Sequence, residues 1–400
     1  MSKLNPGDMS TFNMQHGYSE ALVRGYKSGF LKDQDYHHLC QCETLDGFRF
    51  YRLSIVDVKL NLQETDYGNF LADESSPLLP NAVQKHAMQK LADQWNFMRA
   101  QATQPLAQFM DFTTYEFMID NIILIIKYSL NGQTITAAEL EKECNPLGKI
   151  PTHIVNAISS FDNSPKGYSD LFHIILVELP VGKYFCAYLN EQSRKGVLYV
   201  RPSLSFHAGR SASEASSGRR LANASPARRD AAVPRGFLSM DADAGRTKAD
   251  TLAIHLILSS FNTAYNEPQM RPIRKALLPA FGFLYPEGLE ALSEATDVES
   301  LGRVLDKYWV YRRIFDVAIQ NEQMSVDDAF YLNEVRLLES AFDSQFHFAC
   351  FYSYCHLKLQ EIRNLVWICE CIVQKQRAKI DKYIPIFNPN APWRQGKLGI

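Results

Sequence analysis

Side chains able to do chemistry gather in two short stretches. The first is His37-His38-Leu39-Cys40-Gln41-Cys42, and the second holds His347, Cys350, Cys355 and His356 within Phe346–His356. Both are rich in imidazole and thiol ligands, the pair that suits zinc. A closed zinc site needs four ligands converging on one point. On a helix, neighbouring residues of the first stretch point in divergent directions. In the second, helical phase brings His347 beside Cys350 but not beside both of the others, and Phe348, Phe351, Tyr352 and Tyr354 crowd the same turns. Core packing accounts for both stretches better than a metal. A soluble helical hydrolase or metal-dependent enzyme built on these His/Cys clusters is the alternative function. Glu339 and Asp343 stand four apart and could share a helix face, which reads as a solvated surface. Asp120 is flanked by Ile119 and Ile122, so burying it would demand a partner. Gly148-Lys149 and Gly182-Lys183 are isolated fragments of a phosphate-cradling loop. Without a full Gly-x-x-x-x-Gly-Lys-Ser/Thr loop, ATP hydrolysis by the usual route is excluded. No Gly-x-Gly-x-x-Gly and no Gly-x-Ser-x-Gly run occurs. The expectation is a protein with no catalytic, cofactor or metal site.

The elements carrying these residues read as helices. Between Gly302 and Pro385 there is neither glycine nor proline, which suits long helices and not strands joined by turns. Within that stretch Cys355, Leu359, Ile362, Val366, Cys369 and Val373 alternate four and three apart. This predicts one apolar seam, with Lys358, Glu361, Lys375 and Lys379 off it. Met88, Leu91, Trp95 and Met98 repeat the spacing earlier. Period-2 alternation is scarce, so the fold class is all-α, assembled from helical hairpins. The longest apolar run, Ile119–Ile126, carries Asp120 and is followed by Lys127. It is too short for a membrane span, which needs about 20 apolar residues. Met1 to Glu20 has no apolar stretch of the signal-peptide kind. The chain of 400 residues is 46% apolar with a formal net charge of −2, which gives no support to a nucleic-acid binder. Its eight cysteines follow no framework spacing and read as reduced, buried thiols.

Self-comparison aligns three glycines: Gly29, Gly148 and Gly282. Two residues on stand Leu31, Ile150 and Leu284, and seven on Tyr36, Val155 and Leu289. Ten on stand Leu39, Ile158 and Leu292, and thirteen on Cys42, Phe161 and Ala295. A polar turn then follows each copy: Glu43-Thr44, Asp162-Asn163 or Thr296-Asp297. The pattern is a glycine turn, a short amphipathic helix, a cap and another helix, and three copies predict three similar helical lobes. Gly47–Asp57 interrupts the first. Arg194–Arg246 is rich in Ser, Ala, Gly and Arg, and its composition predicts disorder.

Several strings are more specific than composition. They include Ala21-Leu22-Val23-Arg24-Gly25, Gln41-Cys42-Glu43-Thr44-Leu45, Thr65-Asp66-Tyr67-Gly68-Asn69-Phe70-Leu71 and Met118-Ile119-Asp120-Asn121. Leu284-Tyr285-Pro286-Glu287-Gly288-Leu289, Gln345-Phe346-His347-Phe348 and Ala378-Lys379-Ile380-Asp381-Lys382-Tyr383-Ile384-Pro385 continue the series. In these the chain resembles the d subunits of vacuolar-type ATPases and, more distantly, the C subunits of archaeal-type rotary ATPases. The resemblance covers residues 17–46, 58–193 and 248–387. At Lys248-Ala249-Asp250 the family's Glu-Ala-Asp-Arg-Arg run is matched by Asp250 and not by the two residues after it. The stretches 47–57 and 194–246 and the tail after Phe387 lack family counterparts, as genuine insertions or as retained intron sequence.

The resemblance implies a funnel of three lobes, here 1–130, 131–247 (interrupted at 194–246) and 248–400. It implies a non-catalytic subunit on the cytoplasmic face of acidic organelle membranes. Its partners would be the central stalk subunits D and F, the proteolipid ring and subunit a. Polar residues in or beside the family-like strings are then the candidate partner contacts: Arg24, Asp66, Asn69, Arg363, Arg377 and Lys379.

Overall fold

The computed structural model describes residues 9–45, 57–130, 139, 143–159, 173–182, 235–279, 281–320 and 325–389. These residues are all-α: no strand forms among them, and one isolated bridge pairs Thr44 with Asp57. They separate into two compact units. One draws on Met1–Ala107, Val233–Met240 and Arg313–Ile400, the other on Gln108–Ala232 and Asp241–Arg312.

The helices are α1 (Met9–Lys27), α2 (Asp33–Gln41), α3 (Val58–Gln63), α4 (Pro80–Gln101), α5 (Leu106–Leu130), α6 (Thr152–Ser159) and α7 (Arg235–Ser260). They continue with α8 (Arg271–Leu277), α9 (Glu287–Glu294), α10 (Val298–Leu305), α11 (Trp309–Gln320), α12 (Val326–Ser340) and α13 (Ala349–Val373). Their starts follow local chemistry. Pro80 opens α4, where a missing N–H costs nothing. Asp297 accepts from Ser300 N at 2.7 Å to begin α10, and Ser325 and Asp328 form a reciprocal capping box at α12. In the first repeat the cap of the second helix comes from Asp57, which accepts from Leu60 N at 2.6 Å, and not from Glu43-Thr44. The insert moves the helix start beyond the predicted turn.

In the first unit α13 is the centre, packed against α4, α12 and α1. The α4 stripe predicted by spacing turns inward, with Leu91, Trp95 and Met98 each at most 2% exposed. Each such side chain contributes about 1.5–3 kcal/mol from burial. The predicted seam of α13 is only half right. Cys355, Ile362 and Cys369 are buried, but Val373 is 51% exposed, while Lys358 and Glu361, placed off the seam, are 3% and 0% exposed. Neighbouring helices cover these two positions of α13, so their charges must be paired inside.

In the second unit Met118, Ile119, Ile122 and Ile125 of α5 meet Ile154 and Val155 of α6 together with Leu179 and Val181. Ala249, Ala253, Ile254 and Ile257 line the buried side of α7, and α9 packs on α8 and α10. The disorder predicted for Arg194–Arg246 does not hold for its last twelve residues. Residues from Arg235 to Arg246 form the first turns of α7, while 194–234 and 46–56 lie outside the described residues. Good helix formers such as Leu238, Met240, Ala242 and Ala244 explain the early start.

Candidate functional site

The three aligned glycines lead into helices at matching distances. α2 begins four residues after Gly29, α6 four after Gly148 and α9 five after Gly282. The apolar positions that follow are buried: Leu31, Tyr36, Leu39 and Cys42 in the first, Val155 in the second, and Leu284, Leu289, Leu292 and Ala295 in the third. Ile158 and Phe161 of the second copy have side chains outside the described residues.

Each turn is gripped by a polar side chain from a neighbouring helix. In the first, Glu361 of α13 accepts from Leu31 N at 2.7 Å and from the Tyr67 hydroxyl at 2.8 Å. Lys358 lies 2.6 Å from Glu361 and donates to Gly29 O at 3.0 Å, with its ammonium 4.8 Å from the Phe30 ring and 4.9 Å from the Tyr67 ring. Every charge in this pocket thus has a partner, as burial requires. One turn further along α13, Asn364 donates to Ile384 O at 2.6 Å and accepts from Ile384 N at 3.1 Å, tying the C-terminal segment to the same helix. Burial, reinforced by the Glu361 charge, pushes the Tyr36 and Tyr67 hydroxyls well above the usual range.

In the second turn the group is Asn121 of α5. Its amide donates to Asn145 O at 2.9 Å and Gly148 O at 2.8 Å, and accepts from Asn145 N at 2.7 Å. Asp120, the residue whose burial the sequence raised, is only partly covered, while Asn121 is 3% exposed. Helical phase decides between adjacent residues, and it turns the uncharged amide inward. Gly148 is required by space, since a Cβ there would stand 2.3 Å from the carbonyl carbon of Phe117.

In the third turn Asp250 of α7 accepts from Phe283 N at 2.8 Å, Leu284 N at 3.2 Å and the Tyr311 hydroxyl at 2.7 Å. Gly282 has φ +132°, a conformation open to glycine, and a Cβ there would stand 2.0 Å from the Asp250 carboxylate. Burial raises the Asp250 carboxyl to about 6, against the pull of its three donors and of Arg246. In the same unit, Arg274 is fully buried and donates to the carbonyls of Ser293 and Ala295 at the end of α9, where the helix dipole favours a cation.

The candidate partner contacts divide into two groups. Arg24 pairs with Glu20 at 2.8 Å and donates to Phe342 O at 2.9 Å and to Ser344 O, while Glu20 accepts from Phe346 N at 3.1 Å. Arg377 donates to Cys40 O at 2.7 Å and to Cys42 O. These two guanidiniums therefore clasp segments of their own chain. Arg363 is exposed, donating to Gln360 Oε1 at 3.0 Å with its guanidinium 5.0 Å from the Tyr331 ring. Asp66 is exposed beside Lys90 at 3.2 Å, and the Asn69 and Lys379 side chains are exposed. The ligand-rich stretches are dispersed. His37 pairs with Gln41 at 2.9 Å, and Cys42 donates to His38 O at 3.3 Å and accepts from Asn61 at 3.0 Å. Burial pushes the Cys42 thiol up to about 11 and those of Cys40 and Cys369 to about 12, far from thiolate reactivity. His347 and Cys350 are buried at the start of α13, where Cys350 donates to His347 O at 3.4 Å. Sequence reasoning passed over Glu361, Lys358 and Asn121. Lys358 and Glu361 carry no mark but their place on an apolar helix, while the family-like string Met118-Ile119-Asp120-Asn121 was the available signal for Asn121.

The glycine-turn helical architecture coincides with a family match. The family model described as ATP synthase (C/AC39) subunit matches residues 19–205 and 242–383. The chain belongs to this family. It is 34% identical over 394 residues to V-type proton ATPase subunit d of Dictyostelium discoideum, covering 95% of this chain and 98% of the relative. It is 33% identical over 378 residues to V-type proton ATPase subunit d1 of Arabidopsis thaliana, covering 92% and 96%. It is 30% identical over 386 residues to V-type proton ATPase subunit d of Saccharomyces cerevisiae, covering 94% and 99%. The family match runs through the 47–57 insert and leaves 206–241 between its two blocks.

Proposed function

We propose that the chain is a non-catalytic subunit of the membrane sector of a vacuolar-type proton-pumping ATPase. It couples rotation of the central stalk to the proteolipid ring and so serves proton transport and organelle acidification. The observation that carries this reading is near full-length similarity to proteins named V-type proton ATPase subunit d, with more than nine-tenths of both chains aligned. The partners are the stalk subunits D and F, the proteolipid ring and subunit a, and the place is the cytoplasmic face of acidic organelle membranes. Among the described residues no helix is long and apolar enough to cross a membrane, which fits peripheral attachment.

The physical logic is mechanical. Torque passes through a subunit only if its helices resist shear, and polar contacts such as Glu361 with Leu31 N and Arg24 with Phe342 O join segments distant in sequence. The three glycine turns support the reading of three lobes, 1–130, 131–247 and 248–400, forming a funnel. Asp66, Asn69, Arg363 and Lys379 are its outward-facing candidate contacts, while Arg24 and Arg377 also tie segments of the chain together. A tag on this chain tests the assignment: detergent extracts should yield the proteolipid ring and subunit a. Recovery of the chain without any pump subunit refutes it.

A further inference from the structure

The three glycine turns are held by polar groups that differ in one respect: how each carries charge. Glu361 has the Lys358 ammonium 2.6 Å away. Asn121 is an amide and carries no charge. Asp250 is a carboxylate with 0% exposure whose close partners are all neutral donors, namely Tyr311 Oη at 2.7 Å, Phe283 N at 2.8 Å and Leu284 N at 3.2 Å. The surrounding charges are committed elsewhere or act from further off. Arg246, one turn earlier on α7, stands 5.4 Å from the Phe283 ring and favours the charged carboxylate at longer range. Lys248 pairs with Glu116 at 2.7 Å, and on α11 Arg312 pairs with Asp306 at 3.0 Å. On the turn itself the titratable neighbour is Tyr285, which is exposed.

We propose that Asp250 is a proton-operated latch on the third glycine turn, holding the unit around α7, α9 and α11 more tightly when neutral than when charged. The geometry allows the change. A proton on Oδ2 faces the Tyr311 hydroxyl, which can rotate from donor to acceptor, while the two backbone N–H groups keep their direction. Burial sets the sign. The folded carboxyl lies at about 6, above its ordinary 3.8, so the stabilisation is fully present below about 4 and is lost as pH rises through about 6. The first turn, with its ammonium, and the second, with its amide, lack this response. The latch does not depend on which partners the chain engages.

The test uses the full chain and its Asp250→Asn variant, whose amide stays uncharged at every pH of the experiment. Hydrogen exchange of residues 281–286, corrected for intrinsic rate, is followed from about pH 5 to about pH 8. Protection of the wild-type turn is expected to fall several-fold across that range while the variant stays level. Parallel curves for the two proteins, or a wild-type turn whose protection is constant or rises with pH, overturn the latch. Should Asp250→Asn fail to fold, Tyr311→Phe serves. Removing a hydroxyl that favours the charged form must move the wild-type midpoint to higher pH, and an unmoved or lowered midpoint overturns the proposal.

Discussion

Replacing Lys358 by methionine removes one charge from a pocket that has no access to water. Met keeps most of the volume of the lysine stem, so packing against the Phe30 and Tyr67 rings survives in part. What is lost is the 2.6 Å contact to Glu361 and the bond to Gly29 O, leaving a carboxylate at 0% exposure with two neutral donors, Leu31 N and the Tyr67 hydroxyl. Removing one partner of a buried pair costs about 3–5 kcal/mol, because the remaining charge stays desolvated. For a unit of this size that corresponds to a melting-temperature drop of roughly 10 °C. The assay is thermal and denaturant unfolding of wild type, Lys358→Met, Glu361→Gln and the double variant. A control is Lys85→Met at an exposed position on α4. Since Glu361→Gln relieves the unpaired charge, the double variant should be more stable than Lys358→Met alone, giving a coupling of about 2 kcal/mol or more. A Lys358→Met loss no larger than that of Lys85→Met, or strictly additive single changes, would refute the view that this pair closes the first glycine turn.

Further outcomes follow from the same geometry. Gly148→Ala places a Cβ 2.3 Å from the Phe117 carbonyl carbon, a backbone atom that cannot swing aside. It should cost about 3 kcal/mol or prevent accumulation of folded protein, and wild-type stability would disprove the close approach. Arg377→Ala loses donors to two carbonyls and should lower the melting temperature by a few degrees, equivalent to about 2 kcal/mol. Arg363→Ala, at an exposed position, should melt as wild type while weakening pump assembly or ATP-driven proton pumping. Reversed effects of the two would exchange their roles. Burial lowers the His347 pKa below 6.5, opposed by Glu20 and by the carbonyls of Ser344 and Ala341. The folded state therefore binds fewer protons than the unfolded chain, and the contribution present above 6.5 is lost as pH falls. Subtracting the stability curve of His347→Phe from that of wild type should expose this loss, opposite in sign to that of Asp250. A flat difference would remove it.

Much of this architecture was legible as pattern. The absence of glycine and proline from 303 to 384 leaves the backbone few ways to break, and among the described residues α11, α12 and α13 occupy most of that stretch. The repeat spacing after Gly29, Gly148 and Gly282 places helix starts because a turn and the apolar positions after it are local features, readable within about a dozen residues. Charges on the long helices were not legible in the same way. Periodicity assigns Lys358 and Glu361 to a polar face, and only the packing of α1, α4 and α12 around α13 shows that this face is also interior. Likewise Asp120 and Asn121 are neighbours that sequence cannot rank, and a helical rotation of about 100° decides which of them meets the Gly148 turn. Arg24 and Arg377 look like surface grips until the chain brings residues 342–344 and 40–42 within reach. Contacts between segments more than 300 residues apart leave no local trace. Sequence determines which stretches become helices and where they turn, since those depend on short-range sterics and hydrophobic spacing. Which polar groups hold the turns is decided by tertiary packing, because a buried charge takes its partner from whatever the fold brings beside it.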